Sequence, residues 1–211
     1  MKITWLLIVL TVLVSFYALF FVPDSGKFYD TYGFSGPNLL ARPYVIITSI
    51  FLHASIIHLL SNILVWIFFG LAVEDELGKA KMLAIFFLGA FAGDILSLIF
   101  YPFNTLSVGA SAGIFALVGV GMLVRPLDLS FYPLVIPLPL AFLGMAYALF
   151  NVYGFLFNID PQTSYIGHFG GLAVGFLFGF KYAGAKKGLK IIFITLGIMA
   201  LIPLIWLLLV R

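Results

Sequence analysis

Three histidines, one serine and one asparagine carry most of the chemistry open to this chain. His53, His58 and His168 fall in or at the edge of long apolar stretches, as do Asn62 and Ser111. A polar or ionisable side chain in such a stretch is costly to keep and is a candidate site by default. A serine hydroxyl becomes a useful nucleophile when a base takes its proton, and histidine is the usual base. Amide and imidazole N–H groups can then hold the developing oxyanion. Asn62 follows His58 by four positions, so on a helix the two share a face. His53 precedes His58 by five, which on a continuous helix sets it about 140° away. That excludes His53 from the same face and makes it a structural residue, bonding the preceding loop. No plausible buried acid stands beside His168, so the pattern predicts a Ser–His dyad, not a triad, with no metal and no cofactor. The chain has no cysteine, which removes disulfides, thiolate nucleophiles and cysteine-based metal sites. Taken singly, each residue has a plainer reading. A serine in an apolar helix commonly bonds back to a carbonyl or packs closely, and a lone buried histidine equally suits proton or ion transport. The constellation carries the argument.

The elements that must position these residues follow from composition. Of 211 residues, 64% are hydrophobic and 9% charged, against about 25% charged in a soluble domain. So few polar groups cannot cover a water-exposed surface, and the partner implied is a lipid bilayer. No basic cluster interleaved with aromatics points to nucleic acid. A spanning helix needs about 20 apolar residues. Seven segments qualify or nearly so: Ile3–Val22, Val45–Val73, Met82–Tyr101, the short Ser111–Val124, Pro133–Phe157, Tyr165–Tyr182 and Leu189–Val210. The first is long enough to span and has no small-residue cleavage site after it, so it reads as a retained span. The stretch from Pro23 to Pro43, broken by Gly26, Gly33, Gly36 and Pro37, reads as a long, partly embedded interfacial loop.

Lys2, Lys79, Lys81, Arg125, Lys181, Lys186, Lys187 and Lys190 fall in one set of loops; Lys27, Arg42 and Arg211 fall in the other. The positive-inside rule assigns the first set to the cytoplasm. The expectation is a multi-pass protein of the cell membrane with its N-terminus cytoplasmic and its C-terminus outside. The second, fourth and sixth helices would then all start at the outer face. Ser111, His58, Asn62 and His168 would meet at similar depth, below that surface.

In register, these motifs resemble the rhomboid family of intramembrane serine proteases. The stretch from His53 through His58 to Asn62 is similar to its H-x4-H-x3-N pattern, and Thr48-Ser49-Ile50-Phe51-Leu52 before it is also similar. Gly70, Glu74 and Gly78 match its G-x-x-x-E-x-x-x-G exit, Gly109-Ala110-Ser111 its G-x-S element, and His168, Gly171 and Gly175 its H-x-x-G-x-x-x-G motif. The resemblance covers roughly the first six helices. It implies an all-α polytopic membrane protein of prokaryotic type, a rhomboid-like six-helix bundle with an additional seventh transmembrane helix. Residues 1–182 would form the catalytic core, and 183–211 a linker and that extra helix. It further implies Ser111 as nucleophile, His168 as base and then acid, and His58, Asn62 and the Ser111 N–H as oxyanion hole. Phe115 would be the ring against His168. Gly171, Gly175 and Gly179 form a smooth stripe that would let the sixth helix approach the fourth. Substrates would be transmembrane proteins, cut near the outer face. Two positions depart from the family pattern: Ala112 stands where Gly often follows the serine, and Tyr44-Val45 where Trp-Arg often stands, with Arg42 a little earlier. Two further readings are a rhomboid-like pseudoprotease that binds or chaperones helices without cutting, and a small ion-coupled transporter. Pseudoproteases of this fold lack the serine or the histidine. A transporter would show inverted repeats and helices broken at mid-membrane, and neither is evident. Asp94, in the third segment, is expected to be structural.

Overall fold

A chain this poor in polar side chains must satisfy its backbone inside each segment, and a helix does so without water. The computed structural model describes residues 2–129 and 138–209. Over those residues the chain is an all-helical, multi-pass membrane protein whose paired extended backbone is one isolated antiparallel bridge. Its helices are α1 (Ile3–Phe20), α2 (Ser25–Tyr32), α3 (Gly36–Ala41), α4 (Val45–Thr48), α5 (Ile56–Leu77), α6 (Lys79–Phe100), α7 (Ser111–Val124), α8 (Leu140–Phe157), α9 (Tyr165–Ala183) and α10 (Ala185–Leu209). Each of the seven apolar segments contains one long helix. By length and composition α1, α5, α6, α8 and α10 are able to cross a bilayer. Residues 133–137, the start expected for the fifth segment, lie outside the described residues.

The second segment departs from expectation. Val45–Val73 reads as one apolar run, but the chain makes the short α4, a 3₁₀ turn (Ser49–Phe51), and an extended stretch through His53 before α5 begins. The reason is local: Ser55, in extended conformation, caps α5 by accepting the His58 N–H at 3.1 Å. A serine cap satisfies one of the N–H groups left open at a helix start. The loop between α1 and α4 also holds more structure than expected. Asp24 caps α2 and Ser35 caps α3 in the same way. Arg42 ties this loop together through Asp30 O at 3.1 Å and Asn38 Oδ1 at 2.7 Å, although Tyr44-Val45 replaces the family's usual pair.

The short α7 sits at the centre. Every residue from Gly113 to Leu123 is buried, with α5, α6, α8 and α9 packed around it. Because protein rather than lipid surrounds it, α7 need not span: 14 residues make a helix about 21 Å long, against a hydrocarbon core of about 30 Å. α10 lies outermost, against α7, α8 and α9.

The two ends of the bundle differ. At one end Lys2 pairs with Asp75, and Arg125 lies 3.8 Å from Asp75 and 3.9 Å from Glu76. There the Glu74 carboxylate accepts from Ile3 N, Thr4 N and Thr4 Oγ at 2.8, 2.8 and 2.6 Å, capping α1 from α5. Helices α5, α7 and α9 all start at the opposite end. Asp94 lies in α6 with its Oδ2 buried and without a hydrogen-bond partner among the described residues.

Candidate active site

Ser111 opens α7, and the chain reaching it is held from outside the helix. The loop after α6 pairs with the first loop through Phe34 N to Ser107 O at 2.9 Å and Ser107 N to Phe34 O at 2.8 Å. Gly109 N then donates to Ser49 O at 2.9 Å. Gly109 has φ +127°, a conformation side chains rarely adopt, and a Cβ there would lie 2.9 Å from both Cε1 and Nε2 of His58 and 3.8 Å from Asn62 Nδ2. Glycine is required twice over, for the backbone and for the approach of the histidine. This contact brings the start of α5 against the start of α7.

His168 arrives on α9. Ser164 caps that helix, accepting Gly167 N at 3.2 Å, and its Oγ lies 2.9 Å from Ser97 Oγ on α6. A Cβ on Gly171 would sit 1.9 Å from Ala112 O, and one on Gly175 2.4 Å from Ala116 O. The two backbones therefore touch, which the glycine stripe allows. His168 Nε2 then lies 2.8 Å from Ser111 Oγ. One face of its ring stacks on Phe115, with centroids 4.4 Å apart and planes 17° off parallel; Phe115 stacks in turn on Tyr147 at 4.7 Å. The Ala112 methyl, the departure noted above, is accommodated on α6, where a Cβ on Gly93 would meet it at 2.5 Å.

His53 differs from the sequence expectation. It is not on the helix of His58, so the angle of about 140° between them does not apply. It lies in the extended stretch before α5, fully buried, with Nδ1 3.0 Å from Ser15 Oγ and Nε2 2.8 Å from Asn62 Nδ2. Its ring meets the His58 ring edge-on at 4.8 Å. The expected bond to the first loop is also present, because the Tyr29 hydroxyl donates to His53 O at 2.7 Å. Burial pushes the Tyr29 phenol up, so it remains a donor. Ser15 also donates to Phe51 O at 2.9 Å. A carbonyl only accepts, so Ser15 has no second proton for His53; Nδ1 must donate, Nε2 is bare, and the Asn62 amide donates to it. One Asn62 N–H is left for the site.

Sequence reasoning missed a residue. Asn151, on α8 and 2% exposed, has Oδ1 2.7 Å from His168 Nδ1 and donates from Nδ2 to Tyr165 O at 3.3 Å. The rule that selected Asn62 would have found it, since Asn151 is the one amide in an otherwise apolar helix. The group beside His168 is thus an amide, not an acid. In the loop before α9, hydrogen bonds from Thr163 and the Gln162 N–H hold the Asp160 carboxyl below its usual range against the opposing effect of burial, with a lesser contribution from His58.

Chemically, the arrangement offers a hydroxyl bonded to an imidazole at the start of a helix whose first N–H groups have no carbonyl ahead of them. His58 and Asn62 stand alongside. Fold and site together define a multi-pass helical membrane protein built around a serine–histidine pair. Comparison with known proteins then names the group. The sequence model of the Rhomboid domain matches residues 41–185, more than half of the chain. The chain belongs to the rhomboid family. It is 33% identical over 135 residues to the RHOMBOID-like protein 6, mitochondrial, of Arabidopsis thaliana, covering 64% of this chain and 42% of that one. With the Rhomboid-like protease 3 of Toxoplasma gondii it shares 39% over 74 residues, 35% of this chain and 28% of that one. With the Rhomboid-like protease 1 of the same organism it shares 29% over 157 residues, 72% and 52% of the two chains. The matched region thus spans about half or less of these relatives' own lengths.

Proposed function

We propose that this chain is an intramembrane serine endopeptidase that cuts transmembrane segments of other proteins near the outer face. The observation that carries the reading is the 2.8 Å contact between Ser111 Oγ and His168 Nε2, at the sunken start of a helix too short to span. In this reading Ser111 Oγ attacks the scissile carbonyl while His168 Nε2 takes its proton. The negative oxygen is held by the Ser111 N–H, the free Asn62 N–H and the His58 ring. His168 then gives the proton to the leaving amine, and water reverses the sequence on the acyl-enzyme. A helical substrate hides its carbonyls, so it must unwind first; glycine or proline near the cut would ease this. No cofactor enters the scheme. The cell membrane is the compartment we assign, with the lysine-rich end of the bundle in the cytoplasm and the site open to the outside.

A helix-binding protein without protease activity is the alternative, and the bonded Ser111 and His168 favour the enzyme over it. A fluorophosphonate probe on the detergent-solubilised protein separates the two. Labelling is expected in the wild type and absent in Ser111→Ala, which also loses cleavage of a single-span substrate. A folded wild type that neither takes the probe nor cleaves such substrates would overturn the enzyme reading.

A further inference from the structure

We infer that Asn151 is a positioning residue that fixes the tautomer of His168, and that the Tyr165 carbonyl in turn fixes Asn151. The inference rests on the base role proposed for His168. A neutral imidazole carries its proton on one nitrogen or the other, and only a bare Nε2 can accept the Ser111 proton. A dyad with nothing on Nδ1 leaves that choice open.

The chain of bonds here decides it from one end. Tyr165 O is a peptide carbonyl and can only accept. It lies 3.3 Å from one end of the Asn151 amide, which must therefore be the NH2 end. The amide oxygen then faces His168 Nδ1 at 2.7 Å. That oxygen also only accepts, so Nδ1 carries the proton. Nε2 is left bare, and the hydroxyl of Ser111, 2.8 Å away, must donate to it. Each link has one allowed direction once the carbonyl is in place. Asn151 is buried, and its Oδ1 takes the place an acceptor would need at the Nδ1 edge of the partly buried His168 ring.

An amide suits this position. A carboxylate buried in an apolar bundle would need a paired charge, whereas a neutral amide sets the tautomer with none. The bond also joins α8 to α9, so Asn151 could serve packing alone. Packing would affect stability but would not select a nitrogen.

The chain's three histidines make the test tractable. In bilayers containing the 15N-histidine-labelled protein, solid-state NMR reads which ring nitrogen bears hydrogen, with His168 assigned by its loss in His168→Gln. Wild-type His168 is expected to be protonated at Nδ1 alone. Asn151→Leu should give mixed tautomers and lower kcat about 10- to 100-fold, the worth of one buried hydrogen bond, with KM little changed. Asn151→Asp keeps an acceptor in place and should restore the Nδ1–H form and part of kcat. Wild-type His168 protonated at Nε2 would overturn the inference without any variant. So would a folded Asn151→Leu with unchanged tautomer and kcat. Failure of Ser111 to take the fluorophosphonate probe would instead overturn the protease reading, and the nitrogen spectrum would still decide the role of Asn151.

Discussion

A buried imidazole is tolerable when both of its nitrogens have partners. His53 has Ser15 and Asn62, and His168 has Asn151 and Ser111. His58 is partly buried, as His168 is, but no hydrogen bond to its ring nitrogens is found among the described residues; its ring lies against the His53 ring and the space a Gly109 Cβ would take. Its ring is thus available to a ligand, whereas the other two are committed. Removing one oxyanion donor costs about 10²–10³ in rate where measured. His58→Ala and Asn62→Ala should each lower turnover of a spanning substrate on that order. Asn62→Ala should also lower thermal stability, because it strips the partner from His53 Nε2. Wild-type turnover in the double variant would remove both residues from the site.

At the scale of elements, the site depends on how closely α9 lies against α7. The gap is set by backbone, not by adjustable side chains. A methyl at Gly171 would have to occupy a point 1.9 Å from Ala112 O, and a carbonyl in a buried helix cannot yield much. Gly171→Ala should therefore displace His168 from Ser111, and a misplacement of about 1 Å can cost about 10²-fold in rate. The comparison is Gly197→Ala on α10, where a new Cβ meets nothing within 4 Å; it should leave activity unchanged. Gly171→Ala with wild-type cleavage and probe labelling would show that the contact has slack.

For the whole molecule, every residue of the site lies before Tyr182, while α10 packs on the outside of the bundle. On the proposed protease reading, we propose that residues 1–182 form the catalytic core and that 183–211 are an addition. A chain ending after Lys187 should label with the probe at Ser111, provided its melting shows it folded; a folded but unlabelled product would tie α10 to the core. The orientation has a direct test, because the native chain lacks cysteine. Gln162→Cys should react with an impermeant maleimide from outside the cell, and Lys187→Cys only from the cytoplasmic side. The reverse pattern would invert the assignment.

The sequence by itself determined the solvent, the fold class and roughly where the seven long helices lie. These follow from composition and from runs of apolar residues, which are local and additive, and α7 begins and ends where its run does. It also determined which end of the bundle holds the polar residues, because helices alternate direction whatever their packing. It could not show the break before α5: Leu52 and Ile56 on either side of it are as apolar as the helix, and one serine cap decides where the helix starts. For that reason His53 was placed on the wrong element and its bond to Asn62 was invisible. Asn151 stands out in the sequence as the one amide of its helix, but its role was hidden for a different reason. Its partner is 17 positions away on another helix, and spacing along a chain says nothing about which side chains face each other across two helices. Only the tertiary structure decided that, because the meeting depends on the rotation of α8 about its own axis and on the glycines that let α9 sit against α7.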